Sequence, residues 1–283
     1  MACQLCGESS CLWVAIRDQS IVRGHSEQVE GPSCSSVIHA ALERSIGLYE
    51  PMGIGAFVSA LSELDPRIDL VWDIGANVGL YGALATSRGF GGVAIEANPQ
   101  LRSILGRNLT VNAAGPKWSS YPVAVADRDG RMIFRQSSTS DASGSLRKGW
   151  RSVAAEIEVP TTTLDTIARY SDQPGLVKID VEGCEHLVLR GAQSVLRRGA
   201  LILVEVNLGA GGEEVLEILN EHGYTATQLD GGSSHQSADH SYIPGDQLLW
   251  FAAPKSRQST YERILESMRL HGLDRDQPTT AMG

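Results

Sequence analysis

The run Leu70-Val71-Trp72-Asp73-Ile74-Gly75-Ala76-Asn77-Val78-Gly79, followed by the helical stretch Leu80 to Arg88, decides the reading of this chain. An apolar strand ends on a carboxylate, two glycines bracket a turn, and a helix opens. In such a unit Gly75 lets backbone come close to a ligand, and the helix N-terminus offers unpaired N–H groups to an anion. Asn77 is the expected N-cap. In register with Gly-x-Gly-x-x-Gly from Gly75, the second and third glycine positions hold Asn77 and Leu80, which weakens a nicotinamide dinucleotide reading. The next strand, Val93-Ala94-Ile95, delivers Glu96, 23 residues after Asp73. A carboxylate there accepts hydrogen bonds from both ribose hydroxyls. Asp73, Gly75, Ala76, Asn77, Gly79 and Glu96 are the expected nucleoside-binding residues; the bland alternative is a structural turn with a surface Glu.

Outward from this unit, short β-rich runs alternate with helical stretches, the pattern of parallel strands joined by crossover helices. Strands are expected at 70–74, 93–96, 121–125, 176–180, 200–206, 224–229 and 248–253, and helices at 78–88, 99–112, 184–197, 212–222 and 258–270. Two helices, 37–48 and 53–64, precede the sheet. The result is an α/β, doubly wound sheet. A hairpin of Arg131–Arg135 and Glu156–Val159 interrupts the alternation, and the Ser- and Gly-rich 136–149 between them reads as a mobile loop. Residues 1–36 are expected to form an arm and linker, 37–255 one catalytic domain, and 256–283 a C-terminal helix and tail.

The 283 residues carry 24 Lys and Arg against 33 Asp and Glu, a formal charge of −9 without a basic block, which disfavours a nucleic-acid partner. Apolar runs such as Ala200–Val204 are too short to span a bilayer, and no cationic leader precedes one. A soluble, cytoplasmic protein without a membrane partner is expected; a homodimer is compatible with the sequence. Cys3, Cys6, Cys11 and Cys34 crowd the arm, with Cys184 alone in the body. Cys3-x-x-Cys6 is half of a zinc knuckle without a second close pair, so a reduced arm is preferred to a zinc site.

Acids gather where strands end. Lys178-Ile179-Asp180-Val181-Glu182-Gly183-Cys184-Glu185 closes a strand and opens a helix, and Glu205 and Asn207 end the next strand. Glu185 is read as an acid complementing the helix dipole, and His186 as an ordinary helical His. Asp127, after Ala124-Val125-Ala126, either accepts from the amino group of a bound base or starts the turn Asp127–Gly130. The polar stretch 230–242 contains His235 and His240, which are read as exposed loop residues.

Taken together, Asp73-Ile-Gly-Ala-Asn-Val-Gly79, Glu96-Ala-Asn98-Pro99, Thr163-Leu164-Asp165 and Lys178-Ile-Asp180-Val-Glu182-Gly183-Cys-Glu185 resemble the FkbM-type methyltransferases. The resemblance spans roughly residues 46 to 253 and includes Asn108, Asn112 and the closing Leu248–Phe251. It implies the Rossmann-like fold of class I methyltransferases, mostly parallel with an antiparallel last strand. It also implies S-adenosylmethionine as cofactor and a small-molecule hydroxyl acceptor, usually on a sugar or natural product.

Methyl transfer from a sulfonium is an in-line displacement that needs a positioned, deprotonated hydroxyl. Asp180, Glu182 and Glu205 are the expected catalytic carboxylates. Asp180, Glu205 and Asn207 can alternatively supply oxygen ligands to magnesium, which some O-methyltransferases of this fold use. A nicotinamide-dependent oxidoreductase and a non-catalytic nucleoside-binding domain are the competing readings. Loop register argues against the first, and the concentration of acids at one sheet edge against the second.

Overall fold

A computed structural model describes residues 51–112, 117–137, 144–149, 152–207, 211–229 and 247–270. The arm with its four cysteines, the expected helix 37–48 and the His235/His240 loop lie outside the described residues. The chain runs through α1 (Pro51–Leu61), β1 (Leu70–Ile74), α2 (Leu80–Ser87), β2 (Gly92–Ile95), α3 (Arg102–Asn112) and β3 (Trp118–Tyr121). There follow β4 (Ala124–Val125), β5 (Gly130–Ser137), β6 (Gly144–Ser145), β7 (Val153–Thr162) and α4 (Leu164–Ile167). The last part is β8 (Pro174–Ile179), α5 (Glu185–Arg190), α6 (Gln193–Arg197), β9 (Leu201–Asn207), α7 (Gly212–Glu221), β10 (Tyr224–Gln228), β11 (Gln247–Pro254) and α8 (Gln258–Leu270).

Seven strands form one sheet in the order β10-β11-β9-β8-β1-β2-β3. Only β11 runs antiparallel to its neighbours, slotted between β9 and β10 rather than at the edge. Both faces are covered, so the central strands are apolar on both sides. Trp72, Ile74, Val177, Ile179, Ile202 and Val204 pack under α4 to α7, while Val71, Leu176, Leu201, Leu203 and Phe251 pack under α1, α2 and α8. Strand order reverses at β1, which has β2 on one side and β8 on the other, and that switch point opens a crevice beyond the carboxyl ends.

Where the sequence pattern and the structure differ, a particular residue is responsible. The expected strand 121–125 is two strands, because Pro122 has no N–H to continue a ladder: β3 stays in the main sheet and β4 pairs with β7. Helix 184–197 breaks at Gly191, where a Cβ would stand 2.3 Å from the Ala126 carbonyl oxygen. The second half is restarted by Asp165, whose carboxylate accepts from Ser194 N at 2.8 Å and Ser194 Oγ at 2.6 Å. Helix α1 begins at Pro51, a residue suited to a first turn. The hairpin is larger than expected, a four-stranded sheet ordered β4-β7-β5-β6, and residues 144–145 of the supposed loop pair with β5. The expected last helix forms as α8: Tyr261, Ile264 and Met268 are buried in the core beside α1, and Arg263 pairs with Glu63 at 2.7 Å.

Gly75 adopts φ 76°, and a Cβ on it would lie 1.8 Å from the Asp180 carbonyl oxygen. The close approach of the chain after β8 to the end of β1 by itself requires a glycine there. Gly75→Ala is expected to destabilise the fold by about 3 kcal/mol or more, read as a drop in thermal midpoint. Gly106→Ala, with nothing within 4 Å of its Cβ, serves as control and should be neutral or stabilising by up to about 1 kcal/mol.

Candidate active site

The crevice encloses, together with the solvent at its mouth, about 950 Å³. One wall is the β1–α2 loop with Gly75, Ala76 and Asn77; another is the end of β8 with Lys178, Asp180 and Glu182. Glu96 stands at the end of β2, and Val125, Phe134 and Leu146 make an apolar end towards the second sheet.

Glu96 is held by backbone. Its Oε2 accepts from Asn77 N at 2.8 Å and its Oε1 from Asn98 N at 2.6 Å. Burial pushes its carboxyl up to about 7, partly offset by those two amides. Asn98 is braced in turn, its Oδ1 accepting from Gln136 Nε2 of the second sheet at 2.9 Å. Asn77 is not the N-cap of α2: it takes φ 49° and spends its amide on Glu96, while Gly79 at φ 88° occupies the cap position without a side-chain bond. Asn108 closes the back of the loop, donating from Nδ2 to the Val78 carbonyl at 2.7 Å.

Lys178 is the cation of the site. Its Nζ lies 3.1 Å from Asp180 Oδ2, 3.9 Å from Asp73 Oδ1 and 4.9 Å from the centre of the Tyr81 ring. Asp73 is fully buried, and neither carboxylate oxygen accepts a hydrogen bond of ordinary geometry, the Gly82 amide adding only a weak pull. Burial raises its carboxyl to about 6, with Lys178 opposing.

The loop from Asp180 to Glu185 is shaped by its own acids. Glu182 takes φ 58° and Gly183 φ 93°, a bend most side chains avoid. Glu185 folds back so that Oε1 accepts from Gly183 N at 2.9 Å and Val181 N at 3.2 Å; burial raises it to about 7. From above, Ser145 of β6 donates to the Glu182 carbonyl at 2.8 Å. Cys184 lines the same wall, its thiol pushed up to about 11 by burial.

Of the residues expected from sequence, Gly75, Ala76, Asn77, Glu96, Asp180 and Glu182 line the crevice together. Asp73 and Gly79 support it from behind and do not line it. Asp127 is outside the lining, its carboxylate 3.2 Å from Arg128, and Val125 stands at that end instead. Glu205, on the strand beside β8 and across from Leu249, also lies outside the lining. The Asn207 side chain lies outside the described residues. Among the described residues no group of three His, Cys, Asp or Glu gathers to hold a metal ion. His186 turns towards Gly211, away from the crevice, and burial lowers its pKa.

With this geometry the family is recognisable: the pattern of the methyltransferase FkbM domain matches residues 73–226, more than half of the chain. The chain belongs to the FkbM methyltransferase family. The hexuronic acid methyltransferase AglP of Haloferax volcanii is 23% identical over 213 residues, 74% of this chain and 85% of that protein. Among solved structures, an O-methyltransferase from Bacillus cereus in complex with SAH has a TM-score of 0.44 at 13% identity, over 77% of this chain and 86% of its own. The precorrin-6y C5,15-methyltransferase of Geobacter metallireducens GS-15 has a TM-score of 0.41 at 17% identity, over 70% and 88%. Among the described residues no helix is long and apolar enough to cross a membrane.

Sequence reasoning passed over Lys178, Tyr81 and Ser145. A signal for Lys178 was present: one lysine inside the otherwise apolar Gly175-Leu176-Val177-Lys178-Ile179 is costly unless a counter-charge waits in the fold.

Burial holds Asp73, Glu96 and Glu185 protonated to higher pH in the folded than in the unfolded chain. As pH rises from about 4.5 to about 7 the unfolded chain releases these protons first, so their contribution to stability falls. Thermal unfolding of the ligand-free protein should therefore show a midpoint that drops between about pH 5 and about pH 8. Glu185→Gln, which keeps an acceptor oxygen but no titration, should flatten part of that drop.

Proposed function

We propose that this protein transfers the methyl group of S-adenosylmethionine to a hydroxyl of a small molecule, with a sugar as the first class of acceptor to test. The observation that carries the cofactor is the charge of the crevice: Glu96, Asp180 and Glu182 oppose the single ammonium of Lys178 in its lining. S-adenosylmethionine, with a sulfonium, an ammonium and one carboxylate, bears a net positive charge that such a lining attracts. Glu96 takes the ribose hydroxyls, and the apolar end at Val125, Phe134 and Leu146 takes the adenine. The name of the Haloferax relative supports a sugar acceptor.

In the step itself, a lone pair of the acceptor oxygen forms the new O–CH3 bond while the S–CH3 bond breaks, its electron pair going to sulfur. The hydroxyl proton passes to the Asp180 carboxylate, leaving a methyl ether and neutral S-adenosylhomocysteine. Glu182, on the strained turn beside Asp180, orients the acceptor.

Calorimetric titration with S-adenosylmethionine and with NAD tests the cofactor; saturable binding of the first alone is expected, and its absence from the folded protein overturns the reading. Incubation with methyl-labelled cofactor and a panel of uronic-acid and neutral saccharides should yield a one-methyl mass gain. Glu96→Ala should weaken cofactor binding about tenfold. Asp180→Ala should cut turnover about a hundredfold, more than it weakens binding.

A further inference from the structure

We propose that Asp73 and Lys178 are a positioning pair that leaves Asp180 facing the crevice as an uncancelled negative charge, so that the site favours a sulfonium ligand over the neutral thioether left after transfer. The inference rests on the cofactor reading above. Asp73, Lys178 and Asp180 lie in a row on one sheet face: register pairs Asp73 with Lys178, and Asp180 follows two residues on. Asp180 and Lys178 line the crevice, whereas Asp73 is fully buried behind them.

A wall made of Lys178 and Asp180 alone, at 3.1 Å, would be neutral. The second carboxylate, 3.9 Å from the same Nζ, returns the row to one net negative charge. Among the described residues, three further groups near Lys178 add no positive charge: Tyr81 of α2 presents a ring face, Glu96 of β2 acts on Lys178 through space, and Glu205 of β9 stands on the same sheet face. S-adenosylmethionine and S-adenosylhomocysteine differ by the methyl group and its positive charge. Their affinity ratio therefore reads the local field and is blind to contacts with the parts they share. A site that holds the cation more tightly than the thioether also releases its product.

The test is calorimetric titration of both ligands into the intact chain at about pH 8, above the range in which Asp73 titrates. Three proteins are compared: the parent, Asp73→Asn, and the double variant Asp73→Asn with Lys178→Met. Asp73→Asn should lower the preference for S-adenosylmethionine by about fivefold or more. The double variant, which again leaves one negative charge, should restore the preference of the parent. If Asp73 instead touches the ligand, or merely supports the fold, Asp73→Asn weakens both ligands by the same factor and Lys178→Met repairs nothing; that result overturns the proposal. Should Asp73→Asn fail to fold, the double variant decides alone: a parent-like ratio supports the pair, and a lost preference sinks it. Failure of the parent to bind either ligand would be the failure of the cofactor reading, not of the pair.

Discussion

The ammonium of Lys178 between the carboxylates of Asp73 and Asp180 is the constraint on which the rest of the molecule depends. An ion pair taken out of water recovers its desolvation cost only with good geometry, and removing one member leaves a charge that the interior cannot tolerate. Asp73 sits on β1 and Lys178 on β8, so satisfying the charge sets the register of the two central strands. A slip of one residue would turn Lys178 into the apolar layer of Trp72, Ile74 and Ile179 on the opposite face. The same register brings the Asp180 carbonyl onto Gly75, which only a residue without a Cβ allows.

Around that row, buried acids serve the backbone as much as any ligand. Glu96 gathers the amides of Asn77 and Asn98, and Glu185 those of Val181 and Gly183. Each fixes a loop that would otherwise leave N–H groups unpaired at the sheet edge. Side chains whose charges tune the crevice thus also hold the backbone of its walls.

The four-stranded sheet of β4 to β7 supplies the roof. Phe134 and Leu146 close the apolar end, Gln136 braces Asn98, and Ser145 reaches the Glu182 carbonyl. The contacts tie the Glu96 side and the Asp180 side of the crevice to one added unit. Local alternation indicated its two long strands, but not that 144–145 would join them, since a two-residue strand has no period to detect.

The sequence by itself determined the order of strands and helices, the glycine loop, Glu96 at the second strand end and the acids at Asp180 and Glu182. These are local signals: a hydrophobic period, a turn residue, a charge at a strand end. Only the tertiary structure decided which acids share a crevice. It drew in Asp180 and Glu182, and left Glu205 and Asp127 outside the lining. It also set Asp73 behind the lining, 3.9 Å from the Lys178 ammonium. Strand spacing says that a residue lies at an edge, whereas register, strand neighbours and burial decide what its side chain meets. Those depend on pairings between segments some hundred residues apart, β1 with β8 above all, which no local pattern encodes.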